Sequence, residues 1–176
     1  YKATLEANQQ YEPFSACLED REQTVEELNE PEDVVESTID IDVPEKTDGT
    51  AGTNGELSLI VRRASSDEPD KQNSVAFVRG AGMVVEYYDR DRIVVGNEDF
   101  HADLLGGKAR VWGTDSEPTD DDTTVEEFLT AAEPPRHDEW IRTETLANTY
   151  SQGFRKAVEG IKSDVTDRLR TLVAPN

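Results

Sequence analysis

The chain has 176 residues and a formal net charge of −21 at pH 7, because 39 acidic side chains face 18 basic ones. This balance argues against sequence-independent DNA or RNA binding, which needs Lys and Arg to neutralise phosphates. A compact protein with this charge repels itself at low ionic strength, whereas molar salt shortens the Debye length to about 3 Å. The composition therefore predicts a halophilic archaeal protein; an acidic interaction domain of a mesophile and a nucleic-acid mimic are the alternatives.

Composition also limits the size and the redox setting of the protein. Hydrophobic residues make up 35% of the chain, so one domain with a modest core is expected. Cys17 is the only cysteine, which excludes an internal disulfide, and with His101 and His137 alone it cannot build a zinc site. No run approaches the roughly 18 apolar residues of a membrane span. We expect a cytoplasmic location, no membrane, no metal and no cofactor. Because the chain starts at Tyr1, we also expect a fragment or a processed product.

The first part of the chain is the most acidic. Residues 1–33 are predicted to form an acidic N-terminal helical segment, with a short helix over residues 19–28 that Pro31 ends. Residues 34–176 are predicted to form one α+β domain.

Alternating apolar residues predict a mainly antiparallel sheet of four to six strands in this domain. Gly80 and Gly82 separate the third strand from the fourth and allow a tight turn or a bulge there. The predicted strands cover residues 34–43, 56–63, 75–79, 83–88, 93–95 and 109–112.

Two helices are predicted after the sheet. Residues 115–122 form a solvated acidic loop, and a capping box at Thr124–Glu127 starts a helix that runs to about residue 132. A long C-terminal amphipathic helix is predicted over residues 144–173, packed on the sheet. Its apolar stripe consists of Phe154, Val158, Ile161, Val165, Leu169 and Leu172.

The C-terminal stripe is the leading candidate for an interaction surface. Residues 143–176 hold four acids and five bases, so this helix is nearly neutral on a very acidic protein. We expect its apolar face to pack on something, either the sheet of its own chain or a protein partner.

Glu133 to Trp140 (EPPRHDEW) is the most distinctive string. His137 beside Asp138 is a candidate general base or metal ligand, although no nucleophile accompanies the pair. The favoured interpretation is a rigid structural loop in which Pro134 and Pro135 direct the chain and Trp140 fills the core.

Three other motifs do not match a known binding site. The glycines Gly80 and Gly82 lack the Lys and Ser/Thr of a phosphate-binding loop and precede a strand, so they predict a bend. His101 and Asp103 lack further metal ligands nearby, so they are interpreted as part of an edge strand. The Asp120–Asp122 run lacks the Gly and terminal Glu of a calcium loop.

Four features occur in a recognisable order: the pair Arg62-Arg63, Val75 to Val85 (VAFVRGAGMVV), the EPPRHDEW string, and the amphipathic final helix. In this order, residues 34–173 resemble the C-terminal region of large GHKL-type ATPase-like proteins from prokaryotic genome-defence loci. In those proteins an R-x-x-G-M-V-like string precedes an A-E-P-P-x-H-D-x-W string and a closing helix. The ATP-binding Asn and the Gly-rich lid of GHKL ATPases are absent from this sequence. The resemblance therefore implies the portion without the ATPase, and no catalytic residue carries over.

Together these patterns favour a non-catalytic interaction or signal-transmitting domain of a larger, antiviral-defence protein. Its partner would be another protein or another domain of the same polypeptide. A structural or assembly protein of a halophilic virus or cell is one alternative. An enzyme that uses His137 and Asp138 is the other.

The charge leads to a prediction about salt. Because screening removes self-repulsion, the melting temperature should rise steeply between about 0.1 M and about 2 M KCl. Differential scanning calorimetry measures it directly. Equal melting temperatures across this range would contradict halophilic adaptation.

Overall fold

A computed structural model describes residues 12–19, 32–64, 73–89 and 100–173, together with positions 21, 24–26, 28 and 30. The strands are β1 Val34–Val43, β2 Thr53–Arg63, β3 Ser74–Arg79, β4 Met83–Asp89 and β5 Phe100–Leu105. The α-helices are α1 Glu12–Glu19, α2 Asp120–Ala131, α3 Glu144–Thr149 and α4 Phe154–Val173, and a 3-10 helix covers Gly107–Val111.

The five strands form one sheet in the order β1-β2-β5-β3-β4. The β1–β2, β2–β5 and β3–β4 pairs are antiparallel, and only β3 and β5 run parallel. The β3–β4 hairpin turns at Gly80 and Gly82, whose φ angles are +63° and +105°, so a tight turn that glycine tolerates joins the strands. The predicted α+β fold with a mainly antiparallel sheet is confirmed.

One face of the sheet carries the larger core. Alternate side chains of the strands pack there against α2, α3 and α4, because successive strand residues point to opposite faces. Five residues of the C-terminal stripe are buried and belong to this core, and Leu172 is partly buried against it. The stripe therefore packs on the sheet of its own chain, the first of the two alternatives. Only the opposite, polar face of α4 is open to a partner.

The other face of the sheet carries a smaller core. Helix α1 and the 3-10 helix pack there, so α1 and the C-terminal helix lie on opposite sides of the sheet. The buried residues of this core are Phe14, Cys17, Leu18, Val34, Ile60, Ala76, Val78, Leu105 and Ala109. Ile60 is completely buried, so β2 is covered on both sides at its centre.

The N-terminal helix differs from the prediction. The α-helix covers Glu12–Glu19, whereas residues 24–26 and 28 of the span predicted as helix are not helical. The backbone N–H of Val25 donates to the carbonyl of Val34 at 2.8 Å, so the chain there lies beside the start of β1. This hydrogen bond to the sheet takes the place of a helical one.

The helix predicted from residue 124 begins earlier. Thr119 caps α2, since its hydroxyl accepts from the Asp122 N–H and the Asp122 carboxylate accepts from the Thr119 N–H. Three aspartates therefore occupy the first turn, where the helix dipole favours negative charge. What was predicted as the end of a solvated loop is the start of the helix.

The C-terminal helix is divided in two. Residues 144–173 are predicted as one helix, but α3 ends at Thr149 and α4 starts at Phe154. Between them the buried Tyr150 forms a β-bridge with Lys46 and packs edge-on against Phe128, with ring centroids 5.1 Å apart. The bridge to the loop after β1 is a tertiary contact that helical periodicity does not reveal.

The predicted and observed strands differ at residues 109–112 and at β5. Residues 109–112 lie mostly in the 3-10 helix, because Gly107 adopts φ +59° and turns the chain out of the sheet. The strand predicted over 93–95 lies outside the described residues. Strand β5 is anticipated only as an edge strand without bounds, because His101 and Asp103 interrupt the apolar pattern. Within the described part of the chain, no helix is long and apolar enough to cross a membrane.

The packing of α4 leads to a prediction about stability. Ile161 is 3% exposed, and Ile161→Asp would bury an uncompensated charge in the larger core. We expect a loss of about 4 kcal/mol or more in unfolding free energy, measured by urea denaturation in molar KCl.

Ser163→Asp is the matched control, because Ser163 is exposed on the same helix. Its effect should stay within about 0.5 kcal/mol. An Ile161→Asp variant that remains as stable as the control, yet changes mass in light scattering, would show that Ile161 faces a partner.

Candidate functional site

Arg79 is the centre of a buried polar network at one end of the sheet. It is the last residue of β3, directly before the hairpin turn, and its side chain is 14% exposed. Its guanidinium bonds Glu133 through Nε and Nη2, with the Nη2 to Oε1 distance 2.9 Å. Its Nη1 donates to Glu126 Oε2 at 3.1 Å. One cation therefore holds two carboxylates from different parts of the chain.

Glu126 joins α2 to two other segments. Its Oε1 accepts the backbone N–H of Gly80 at 2.8 Å and that of Lys108 at 2.9 Å. A Cβ at Gly107 would lie 2.8 Å from the Cα of Glu126, which only a glycine avoids. The hairpin turn, the 3-10 helix and α2 therefore meet at a single carboxylate.

Glu133 links the network to the EPPRHDEW loop. It lies just after α2, and its side chain is completely buried. The Oε1 of Glu133 lies 3.0 Å from Nδ1 of His137, whose side chain is 51% exposed. His137 adopts φ +53°, and its N–H donates to the carbonyl of Pro134 at 2.8 Å. A tight turn thus places the imidazole over the buried carboxylate.

The electrostatics of the network favour the charged form of Arg79. The hydrogen bonds to Glu133 raise the pKa of the Arg79 guanidinium, and this outweighs the effect of its partial burial. The charges of Glu133 and Glu126 act in the same direction. Arg79 therefore stays positive, and without it Glu133 would be a buried charge with no counterion.

The geometry gives His137 one defined chemical property. A carboxylate only accepts hydrogen bonds, so Nδ1 is the donor towards Glu133. In the neutral ring, Nε2 then carries the lone pair and is free of this contact. A carboxylate that orients an imidazole in this way is the arrangement found behind general bases and metal-binding histidines.

Trp140 is buried in the larger core, where the sequence analysis expects it. Trp140 is 5% exposed and stacks on Phe77, with ring centroids 5.3 Å apart and planes inclined by 13°. Pro134 and Pro135 lead the chain from the end of α2 into the turn at His137. The loop is therefore held at one end by Glu133 and at the other by Trp140.

The candidate catalytic pair is not brought together. Asp138 contacts Arg136, with 3.8 Å between Oδ2 and Nε, and both side chains are largely exposed. The carboxylate partner of His137 is Glu133, four residues earlier, and not its neighbour Asp138. Adjacent side chains in a turn diverge, whereas this turn brings residue 137 back onto residue 133.

His101 and Asp103 lie far from an edge. Both are completely buried on β5, the middle strand of the five, which corrects their interpretation as part of an edge strand. Asp122 is also buried, and its Oδ2 accepts from Nη2 of Arg110 at 3.0 Å. Burial by itself would raise the pKa of Asp122, but its bonds to Arg110 and Thr119 outweigh this and lower it.

Sequence reasoning missed Glu126 and the role of Arg79. The available signal is the spacing of Asp122, Glu126 and Glu133, which places two carboxylates on one side of α2 and a third just after its end. Acids on the buried side of a helix require cations, and Arg79 and Arg110 supply them.

The surroundings of the network are open. A groove of about 360 Å³ lies beside the hairpin turn, lined in part by Gly80, Lys108, Trp112 and Glu117. Among the described residues, no group of three or more His, Cys, Asp or Glu side chains could hold a metal ion.

Comparison with known proteins adds nothing to this description. No family model, no curated protein and no solved structure matches the chain. The functional argument therefore rests on the site itself.

The buried ion pairs lead to a prediction about stability. Arg79→Met should cost about 3–5 kcal/mol, because it leaves Glu133 buried without a counterion. Arg142→Met is the matched control: Arg142 pairs with Glu159 at 3.0 Å, but both side chains are more than half exposed. The control should cost less than about 1 kcal/mol by urea denaturation. Equal losses in the two variants would mean that the network does not hold the loop.

Proposed function

We propose that this chain is a non-catalytic interaction or signal-transmitting domain of a larger protein. The observation that carries the proposal is the closed network around Arg79. Both carboxylates that surround Arg79 are paired with it, and the Glu126 carboxylate also binds two backbone amides. Groups engaged in this way are occupied with structure and not available for proton transfer.

The network also suggests how a signal would pass. The hairpin turn at Gly80 and the loop at His137 are separate surface features, and Arg79 and Glu133 link them through side chains that are almost or entirely buried. Packed ion pairs of this kind move as a unit, since separating them leaves a buried charge unpaired. A partner that displaces the loop would therefore also displace the hairpin.

The exposed end of the loop is the proposed contact surface. Arg136 has a side chain that is 88% exposed, and Asp138 is 52% exposed. They present one positive and one negative charge on either side of His137. In the setting that the sequence resemblance implies, the partner is a protein of the same genome-defence locus in a halophile.

A second candidate function is an enzyme that uses His137. The specific observation in its favour is the 3.0 Å contact from Glu133 to Nδ1, which leaves Nε2 directed away from the carboxylate. Glu133, and not Asp138, would then be the orienting residue.

The test uses the purified chain in molar KCl, mixed with each protein encoded beside it in the genome, with mass followed by light scattering. The paired substitution Arg136→Glu with Asp138→Arg reverses both loop charges at constant net charge. Lys156→Glu with Asp164→Lys is the matched control on the exposed face of α4. A complex that the loop variant loses and the control keeps supports the proposal.

Two results would go against it. The absence of a complex with every neighbouring protein contradicts an interaction domain. A catalysed turnover that His137→Ala abolishes, while circular dichroism shows an intact fold, favours the enzyme instead.

A further inference from the structure

The smaller core contains a carboxyl group that nothing in the network or the proposed function uses. Asp103 is completely buried on β5, and neither of its side-chain oxygens has a hydrogen-bond partner. The register explains this isolation, because its direct neighbours on β2 and β3 are Ile60 and Ala76. A buried carboxyl between two apolar side chains has no local group to bind.

Helix α1 closes this part of the sheet. Phe14 lies edge-on to the ring of His101, with centroids 5.3 Å apart, and 5.2 Å from the ring of Tyr87. Cys17 is completely buried, and its thiol lies 3.7 Å from the carbonyl of His101. Of its described side chains, Phe14, Cys17 and Leu18 are buried in the smaller core.

Few charges face Asp103 from the described elements around it. The Arg21 guanidinium is directed to Glu36, at 2.7 Å from Nε to Oε1, and to the carbonyl of Trp112. Strand β3 contributes only Ser74, Ala76 and Val78 to this face. The described ionisable groups on this side of the sheet include Cys17 and Arg21 from the N-terminal segment, Glu36, Asp40 and Asp42 from β1, Glu56 and Arg62 from β2, His101 on β5 itself, Tyr87 from β4 and Arg110 from the 3-10 helix.

This environment favours the neutral carboxyl. Burial raises the pKa of Asp103 well above its ordinary value, and the charge of Arg21 offsets only part of that effect. When α1 leaves the sheet, water reaches the carboxyl and the ordinary value returns. At a pH between the ordinary pKa and the raised pKa of Asp103, the carboxyl is ionised in the open form and protonated in the closed form.

We propose that helix α1 is a removable cover over the Asp103 face of the sheet, and that ionisation of Asp103 drives it open. The direction of the pH dependence follows from linkage. Because the open form has lost the Asp103 proton and the closed form has kept it, the ratio of open to closed molecules rises about tenfold per pH unit. This rise ends at the pH at which Asp103 loses its proton in the closed form as well. Opening exposes Arg62, His101 and Asp103, a polar surface that is buried when α1 is closed.

Cys17 is a natural probe of this opening, because it is the only cysteine of the chain and lies on α1. A pyridyl disulfide reagent reacts with its thiolate only when the helix is open. Below the thiol pKa, the thiolate fraction alone makes the rate rise about tenfold per pH unit. With Asp103 present, the rate should rise about a hundredfold per pH unit above about pH 6.5, where the exposed imidazole of His101 no longer takes up a proton on opening.

The test compares labelling rates in the full chain between about pH 5 and 8 for the wild type, Asp103→Asn and Asp103→Leu. Both variants remove the ionisable group, and the second keeps the proposal testable if the first is destabilised. In each variant the labelling rate should rise only about tenfold per pH unit, as the thiolate fraction alone requires. Asp40→Asn is the matched control, because Asp40 is exposed on the same face and should leave the steep dependence intact.

Three results would overturn the proposal. The first is the same pH dependence in the wild type and both Asp103 variants. The second is a labelling rate that rises with urea as steeply as the global unfolding constant does, which would mean that α1 opens only when the whole domain unfolds. The third is no labelling of the folded wild type at any pH in the range.

Discussion

The guanidinium of Arg79 is the point on which three separate segments of this chain depend. It holds Glu133 after α2 and Glu126 within α2, and Glu126 in turn binds the backbone of the hairpin turn and of the 3-10 helix. Because Gly107 has no side chain, the 3-10 helix approaches Glu126 closely enough for these backbone contacts. Buried ion pairs are specific in geometry and costly to break, so this network determines where the EPPRHDEW loop lies with respect to the sheet. The orientation of His137 follows from it.

Much of the fold could be predicted because it depends on local periodicity. The alternation in β1 to β4 and the stripe of α4 are repeated along the chain, and burial follows from them directly. The ends of the helices depend instead on single side chains. Thr119 starts α2 before the predicted capping box, and the bridge between Tyr150 and Lys46 interrupts the C-terminal helix. Strand β5 was expected at the edge of the sheet and not at its centre, because polar residues such as His101 and Asp103 are rarely buried.

The candidate site was harder to predict than the fold. The sequence singled out His137, Trp140 and the two glycines, and all of them lie in or beside the network or the core. It paired His137 with the adjacent Asp138, because adjacency is visible in a sequence and a tight turn is not. The partnership of Arg79 with Glu133 joins residues 54 positions apart and requires the tertiary fold. The carboxylates of α2 were visible, but their cations came from other elements.

The position of β5 has a consequence for how the protein reaches its native state. Strands β1 and β2 form one hairpin and β3 and β4 another, and β5 is the strand that lies between the two pairs. Each hairpin can form from nearby residues, whereas β5 must pair with both, one of them in parallel, across longer separations in the chain. Contacts of this kind are slow to form, so we expect the pairing of β5 to limit the rate of folding. Until that step, the two halves of the sheet are independent, and the acidic character of the chain would help to keep such open intermediates from associating.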